Sequence, residues 1–231
     1  MRVSDSRLLR TDGDAIARLW LARPGSTMKP FSLLALLEAG KVTAKDAYAC
    51  PRTLIIAGRD FTCVHPEVPQ AMNVSRAIAY SCNCAVAHFA QRFQRDELAA
   101  ALVRAGFTSV RRNLSSAANQ LQALGEDGMN VTALELLSVY RRLALRVKEA
   151  KLAPIVEGLE GAVDFGSAQG AQIKNLRVAG KTGSAFPWAW FAGFAPSRNP
   201  EVVVVALLEG RSGAADAAPV AGEMLRKFFN K

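Results

Sequence analysis

The chain has 231 residues, half of them hydrophobic and 7% aromatic, with a formal charge of +9. That much apolar material fills a core and excludes a disordered chain, and the length allows one or two domains. The 29 Lys and Arg against 20 Asp and Glu favour anionic partners such as a cell-wall polymer or phospholipid. The basic residues are scattered and not interleaved with aromatics, which argues against nucleic acid.

Residues 1–20 lack the uninterrupted apolar segment of a signal peptide. "VVVVALLEG" (202–210) is far too short to cross a hydrocarbon core of roughly 30 Å, and reads as a buried strand. In chain order, Ser32–Ala39 is apolar at helical spacing and stops at Gly40. Residues 41–70 are punctuated by Pro, Gly and Cys and read mostly as loop. Val74–Phe93 reads as a helix broken near Ser81 by "YSCNCA", and Arg95–Gly106 as another helix. Thr132–Val147 puts Leu134, Leu137, Tyr140, Leu143 and Ala144 on one face, with a capping box from Thr132 to Glu135. Three extended segments follow at 176–185, 188–196 and 201–209, then a closing helix at 217–229. Helices followed by adjacent strands predict an α+β fold with an antiparallel sheet.

Four cysteines are present: Cys50, Cys63, Cys82 and Cys84. Cys50 and Cys63 bracket a short polar loop and are candidates for a bridge. A bridge between Cys82 and Cys84 would be strained, so buried thiols are expected there. His65 joins Cys50 and Cys63 as a candidate metal ligand, but no fourth ligand is apparent and no CxxC pair exists. The expectation is a loop without metal.

Chemistry enters at "RPGSTMKPF" (23–31). On a helix, Ser26 and Lys29 share a face, roughly 5–6 Å apart between Cβ atoms. A serine hydroxyl needs a base to become a nucleophile, and a lysine kept neutral by burial is such a base. A helix start adds free N–H groups for developing negative charge. "SCN" sets Ser81 and Asn83 at the break in the helical pattern. "KTG" sets Lys181, Thr182 and Gly183 on a strand, where glycine permits close approach and the two side chains can grip a carboxylate. Taken singly, each has a plain structural reading: a chance match, local helix interruption, or a lysine guarding a sheet edge.

Together and in this order, S-x-x-K, S-x-N and K-T-G are the signature of penicillin-binding proteins and serine β-lactamases. The chain resembles the transpeptidase domain of penicillin-binding proteins, especially the monofunctional class B type. "CPRTLIIAGRDFTCVHP" is similar to a Cys-bracketed loop in many members, and "MNVSRAIAYSCNCAVAHFA" to their Ser-x-Asn segment. "ALGEDGMNVTALELLSVYRRLA" resembles their Gly-x-Gly to Thr-Pro-Leu-Gln-Leu helix, with Ala133 where proline is usual. "FGSAQGA" and "VAGKTGSAFPWAWFAGFAP" resemble the stretch through Lys-Thr-Gly-Thr-Ala. The similarity runs from about residue 22 onward, leaving 1–21 poorly matched within a single 1–231 domain.

The resemblance implies an antiparallel sheet flanked by helices, with a mostly helical subdomain. It implies that Ser26 attacks a D-Ala-D-Ala carbonyl or a β-lactam, that Lys29 is the general base, and that Ser81 passes the proton on. Asn83 would bind a substrate amide, Lys181 would support Ser81, and Thr182 would hold the substrate carboxylate beside Gly183. The N–H groups of Ser26 and Ser184 would form the oxyanion hole. It implies no cofactor, peptidoglycan stem peptides and β-lactam antibiotics as ligands, a glycan polymerase or other cell-wall protein as partner, and a place in the cell envelope. Members usually carry two strands before the serine motif, a membrane anchor and a pedestal domain. Here "MRVSDSRLLRTDG" supplies one strand at best. A fragment, a compact active relative and a slowly acylating sensor module all stay open, as does a class D-like β-lactamase, although that class has Ser-x-Val where this chain has Ser81-Cys82-Asn83.

Overall fold

The computed structural model describes residues 1–230. The first residues lie along the sheet edge: the Met1 amine donates to Val203 O at 2.8 Å and Val3 N–H to Glu201 O at 2.8 Å. Helix α1 (Asp14–Leu19) follows, then a 3-10 turn, Gly25–Met28, that runs straight into α2 (Lys29–Glu38). Pro30 is tolerated in the first turn of α2, where its missing N–H costs no helical bond. Every residue from Lys29 to Leu36 is buried, so α2 is a core helix rather than an amphipathic one.

Residues 41–73 hold more structure than the expected loop. β1 (Ala47–Tyr48) pairs with β4 (Met72–Asn73), and β2 (Thr53–Ile56) with β3 (Arg59–Thr62), both antiparallel. Ala57 and Gly58 both have positive φ, as a two-residue hairpin turn requires. These strands are two to four residues long and half exposed, so they leave little periodic signal.

The helical break falls where the sequence places it, between α3 (Val74–Ala79) and α4 (Asn83–Ala90). α5 (Glu97–Ala105) ends at left-handed Gly106. α6 (Ser116–Leu124) follows, then α7 (Ala133–Leu145) and α8 (Ala153–Asp164). Only half of the expected capping box forms. Thr132 Oγ1 accepts from Glu135 N–H at 3.1 Å, but the Glu135 carboxylate turns to the N–H and hydroxyl of Thr108.

β5 (Ala179–Ala185), β6 (Trp188–Ala195) and β7 (Val202–Glu209) form an antiparallel sheet in that order, with Lys181 opposite Ala192 and Phe191 opposite Ala206. Side chains alternate between two cores. Trp190, Ala192 and Phe194 pack into the large core with α2 and α7, while Ala189, Phe191 and Ala195 pack with Ala218, Ala221 and Leu225 of α9 (Ala218–Phe229). Both faces are covered, which is why the central strand reads as a continuous apolar run. The architecture is the expected α+β one.

Candidate active site

Ser26 sits in the 3-10 turn, not yet in the helix that Lys29 begins. The turn is fixed through its backbone. Tyr140 OH on α7 donates to Thr27 O at 2.9 Å, Trp190 Nε1 on β6 donates to Arg23 O at 2.9 Å, and Gly25 N–H donates to Gly125 O at 3.1 Å. Glycine is needed where the turn meets β5. A Cβ on Gly183 would lie 2.5 Å from Pro24 O, and one on Gly25, which has φ +53, would lie 2.8 Å from Ser184 O. The Ser184 hydroxyl turns away and accepts from Gly213 N–H at 3.0 Å, while its backbone lies against the peptide preceding Ser26.

The second group stands on the helical break. Ser81 N–H bonds Ile78 O and Cys82 N–H bonds Ala77 O, the paired bonds that close a helix with a left-handed residue, usually glycine. Ser81 takes that position with φ 55, a strained backbone for serine that its surroundings hold in place. Cys82 then caps α4, its sulfur accepting from Ala85 N–H at 3.4 Å, and Asn83 is the first residue of the new helix. Lys29, fully buried, reaches this break. Its Nζ donates to Ser81 O at 2.7 Å, Ser81 Oγ at 3.2 Å and Asn83 Oδ1 at 2.6 Å. Burial lowers the Lys29 ammonium to about 8, against the opposing pull of the Cys82 and Cys63 sulfurs and the Glu126 carboxylate.

The third group is on β5. Lys181 is fully buried and Thr182 nearly so, so Lys181 is no solvated guard of a sheet edge. Lys181 Nζ donates to Thr182 O at 3.0 Å and to Ser167 Oγ at 3.5 Å, and Thr182 Oγ1 donates to Ser167 Oγ at 3.0 Å. Burial first, then the Lys29 charge, holds Lys181 well below the ordinary lysine range. Ser167 is a member of the site that motif reading missed. It lies in "FGSAQGA", and the only signal was a hydroxyl in a small-residue loop just before the strand.

Cys50 and Cys63, the candidate pair, are not bridged: all four cysteines are free thiols. Cys63 also lies against the helical break, with its Sγ 3.8 Å from Cys82 Sγ and 3.5 Å from Cys84 Sγ. Cys50 Sγ accepts from Arg52 N–H at 3.4 Å.

The sequence model of the penicillin binding protein transpeptidase domain matches residues 21–230. The chain belongs to the penicillin-binding protein transpeptidase family. Among curated proteins no sequence matches. Among solved structures it is similar to Pseudomonas aeruginosa penicillin-binding protein 2 in complex with WCK 5153, with TM-score 0.79 and 23% identity over 91% of this chain and 62% of that one. Penicillin-binding protein A of M. tuberculosis, as an imipenem acyl-enzyme, gives TM-score 0.72 and 22% identity over 89% and 60%. The apo transpeptidase domain of Burkholderia pseudomallei penicillin-binding protein 3 gives 0.80 and 18% over 93% and 80%. The chain thus spans less than two thirds of the first two, and at these identities the likeness is one of fold. Among the described residues no helix of this transpeptidase-family chain is long and apolar enough to cross a membrane.

Proposed function

We propose that the chain is a serine acyl-transferase acting on the D-Ala-D-Ala ends of peptidoglycan stem peptides, and that β-lactams acylate the same serine. The observation that carries this reading is the buried Lys29, bonded to both Ser81 and Asn83, at the foot of the turn that presents Ser26. A lysine near 8 supplies the neutral base that serine attack requires.

In the reaction, neutral Lys29 Nζ takes the Ser26 proton as Oγ adds to the substrate carbonyl. The resulting oxyanion is held by the N–H groups of Ser26 and Ser184. The scissile C–N bond breaks, and the departing D-alanine nitrogen takes a proton from Ser81 Oγ, which recovers one from Lys29. An amine of a second stem peptide then attacks the ester and loses a proton to Lys29, which passes it to Ser26 Oγ as the ester C–O bond breaks, leaving a new amide bond and the free enzyme. Asn83 binds a substrate amide, and Thr182 and Lys181 hold the carboxylate, with Gly183 allowing its approach. The chain acts as one domain in this reading. Its chemistry belongs at the extracytoplasmic face of the cell envelope, alongside a glycan polymerase that supplies the strands. A β-lactamase of the class D type is the less favoured reading, because three acceptors already fill the surroundings of Lys29 Nζ where that class carries a carboxylated lysine in an apolar pocket.

The test is intact-mass and peptide mass spectrometry after incubation with a fluorescent penicillin. A persistent adduct on Ser26, absent from Ser26→Ala, is expected. Rapid release of opened penicillin would shift the assignment to a lactamase, and a folded protein with no adduct would overturn acyl transfer.

A further inference from the structure

The acyl-transfer reaction leaves a cluster of sulfurs without a use. Cys50 and Cys63 flank the β2–β3 hairpin, His65 lies two residues beyond Cys63, and Cys82 lies between Ser81 and Asn83. The Sγ atoms of Cys50, Cys63 and Cys82 and one ring nitrogen of His65 all lie within 4.8 Å of one another. The Cys63–Cys82 separation is 3.8 Å. Two thiolates bound at about 2.3 Å at the corners of a tetrahedron stand about 3.8 Å apart.

The histidine points the same way independently. His65 is only 6% exposed. Its Nδ1 is 2.8 Å from Pro66 O, a carbonyl that accepts when the proton sits on Nδ1. Arg52 adds a guanidinium bond to His65 O and approaches Nδ1 at 3.2 Å. The His65 Nε2 is buried with no hydrogen-bond partner. A backbone carbonyl beside one imidazole nitrogen and a buried, unpartnered second nitrogen is the arrangement of a metal-ligating histidine. Cys50, Arg52 and His65 also line a hollow of about 240 Å³ that gives a route in from solvent.

We propose that Cys50, Cys63, His65 and Cys82 bind a single zinc ion in a closed tetrahedral site. Three sulfurs and one imidazole are a structural zinc set, too soft for magnesium or calcium and with no position left open for water. The thiols lose their protons on binding and no electron is exchanged. The ion ties three loop residues to the residue between Ser81 and Asn83, so it braces the half of the active site that Lys29 contacts. This revises the sequence expectation of a metal-free loop, whose missing fourth ligand was Cys82. Cys84, 3.5 Å from Cys63, stands outside the set as a built-in control.

The full chain is equilibrated with zinc, freed of excess metal, and measured by elemental mass spectrometry. The cobalt(II) form is examined for thiolate charge-transfer and intense tetrahedral d–d absorption. About one zinc per chain is expected, falling roughly 10-fold or more in His65→Ala and Cys50→Ser and holding in Cys84→Ser. Ser26→Ala should keep its zinc, so the site is judged apart from acylation. Should the ligand variants fail to fold, the unaltered protein decides through its metal content and cobalt spectrum. Wild-type protein without stoichiometric zinc, an octahedral cobalt spectrum, or zinc lost from Cys84→Ser but kept in His65→Ala would each overturn the proposal.

Discussion

The two serines of the site are held by different means. Ser26 rides on a turn clamped through carbonyl oxygens by Tyr140 and Trp190 and wedged against β5 at contacts that only glycine fits. Ser81 stands in a strained helical break whose side-chain partner is an ammonium, with the sulfur of Cys82 beside it. The first arrangement is steric and does not titrate. The second depends on a proton and, by the proposal above, on a metal. Bulk should therefore break one half of the site, and pH and chelation the other.

The largest effect is expected from Gly183→Val. Its Cβ would overlap Pro24 O, so the turn and β5 must part. Overpacking of this kind costs about 1–3 kcal/mol of stability. A displacement of about 1 Å at the reacting groups costs on the order of 10²-fold in rate, read as penicillin labelling of the folded variant. The pH profile comes next and addresses the other half. Lys29 works as a base only when neutral, so acylation should fall about tenfold per unit below its value of about 8 and level off above it. A rate independent of pH between 6 and 9 would remove Lys29 from the base role. The same groups affect folding. Both buried lysines hold fewer protons folded than unfolded, so stability should rise, not fall, as pH climbs from about 8 toward the ordinary lysine value of 10.5. Denaturant melts across that window check the sign.

Ser167→Ala removes an acceptor shared by Lys181 and Thr182. An ordinary intramolecular hydrogen bond is worth about 0.5–1.5 kcal/mol, so acylation should slow roughly 2- to 10-fold. Tyr140→Phe is the mildest. It deletes one buried bond to Thr27 O, expected to cost about 1 kcal/mol in denaturant unfolding with labelling nearly unchanged.

The contrast also explains what sequence alone revealed. The break at Ser81, the three strands and α9 were legible because apolar periodicity and a polar interruption are local properties. The β2–β3 hairpin was not, since four-residue strands with exposed faces look like loop. α6 and α8 went unnamed, the latter because Gly158 and Gly161 weaken its local helical signal. The motif residues Ser26, Lys29, Ser81, Asn83, Lys181 and Thr182 could be listed in advance, but not the bond from Lys29 to Asn83. Ser167 escaped because one serine in a loop has no periodicity. Spacing along the chain offers Cys50 and Cys63 as a pair but could not reveal Cys82 and Cys84 converging on Cys63.

Lys29 and Lys181, two dry amines in one site, also make ligand capture a protonation event. Lys181 is depressed by burial and by the Lys29 charge, and an incoming carboxylate would reverse that balance. An anionic ligand should then draw a proton from the medium as it docks. Its binding heat would change with the ionisation enthalpy of the buffer, and its affinity would weaken as the solution becomes alkaline. Acylation, which needs a neutral Lys29, improves in the same direction, so docking and chemistry would favour opposite ends of one pH range.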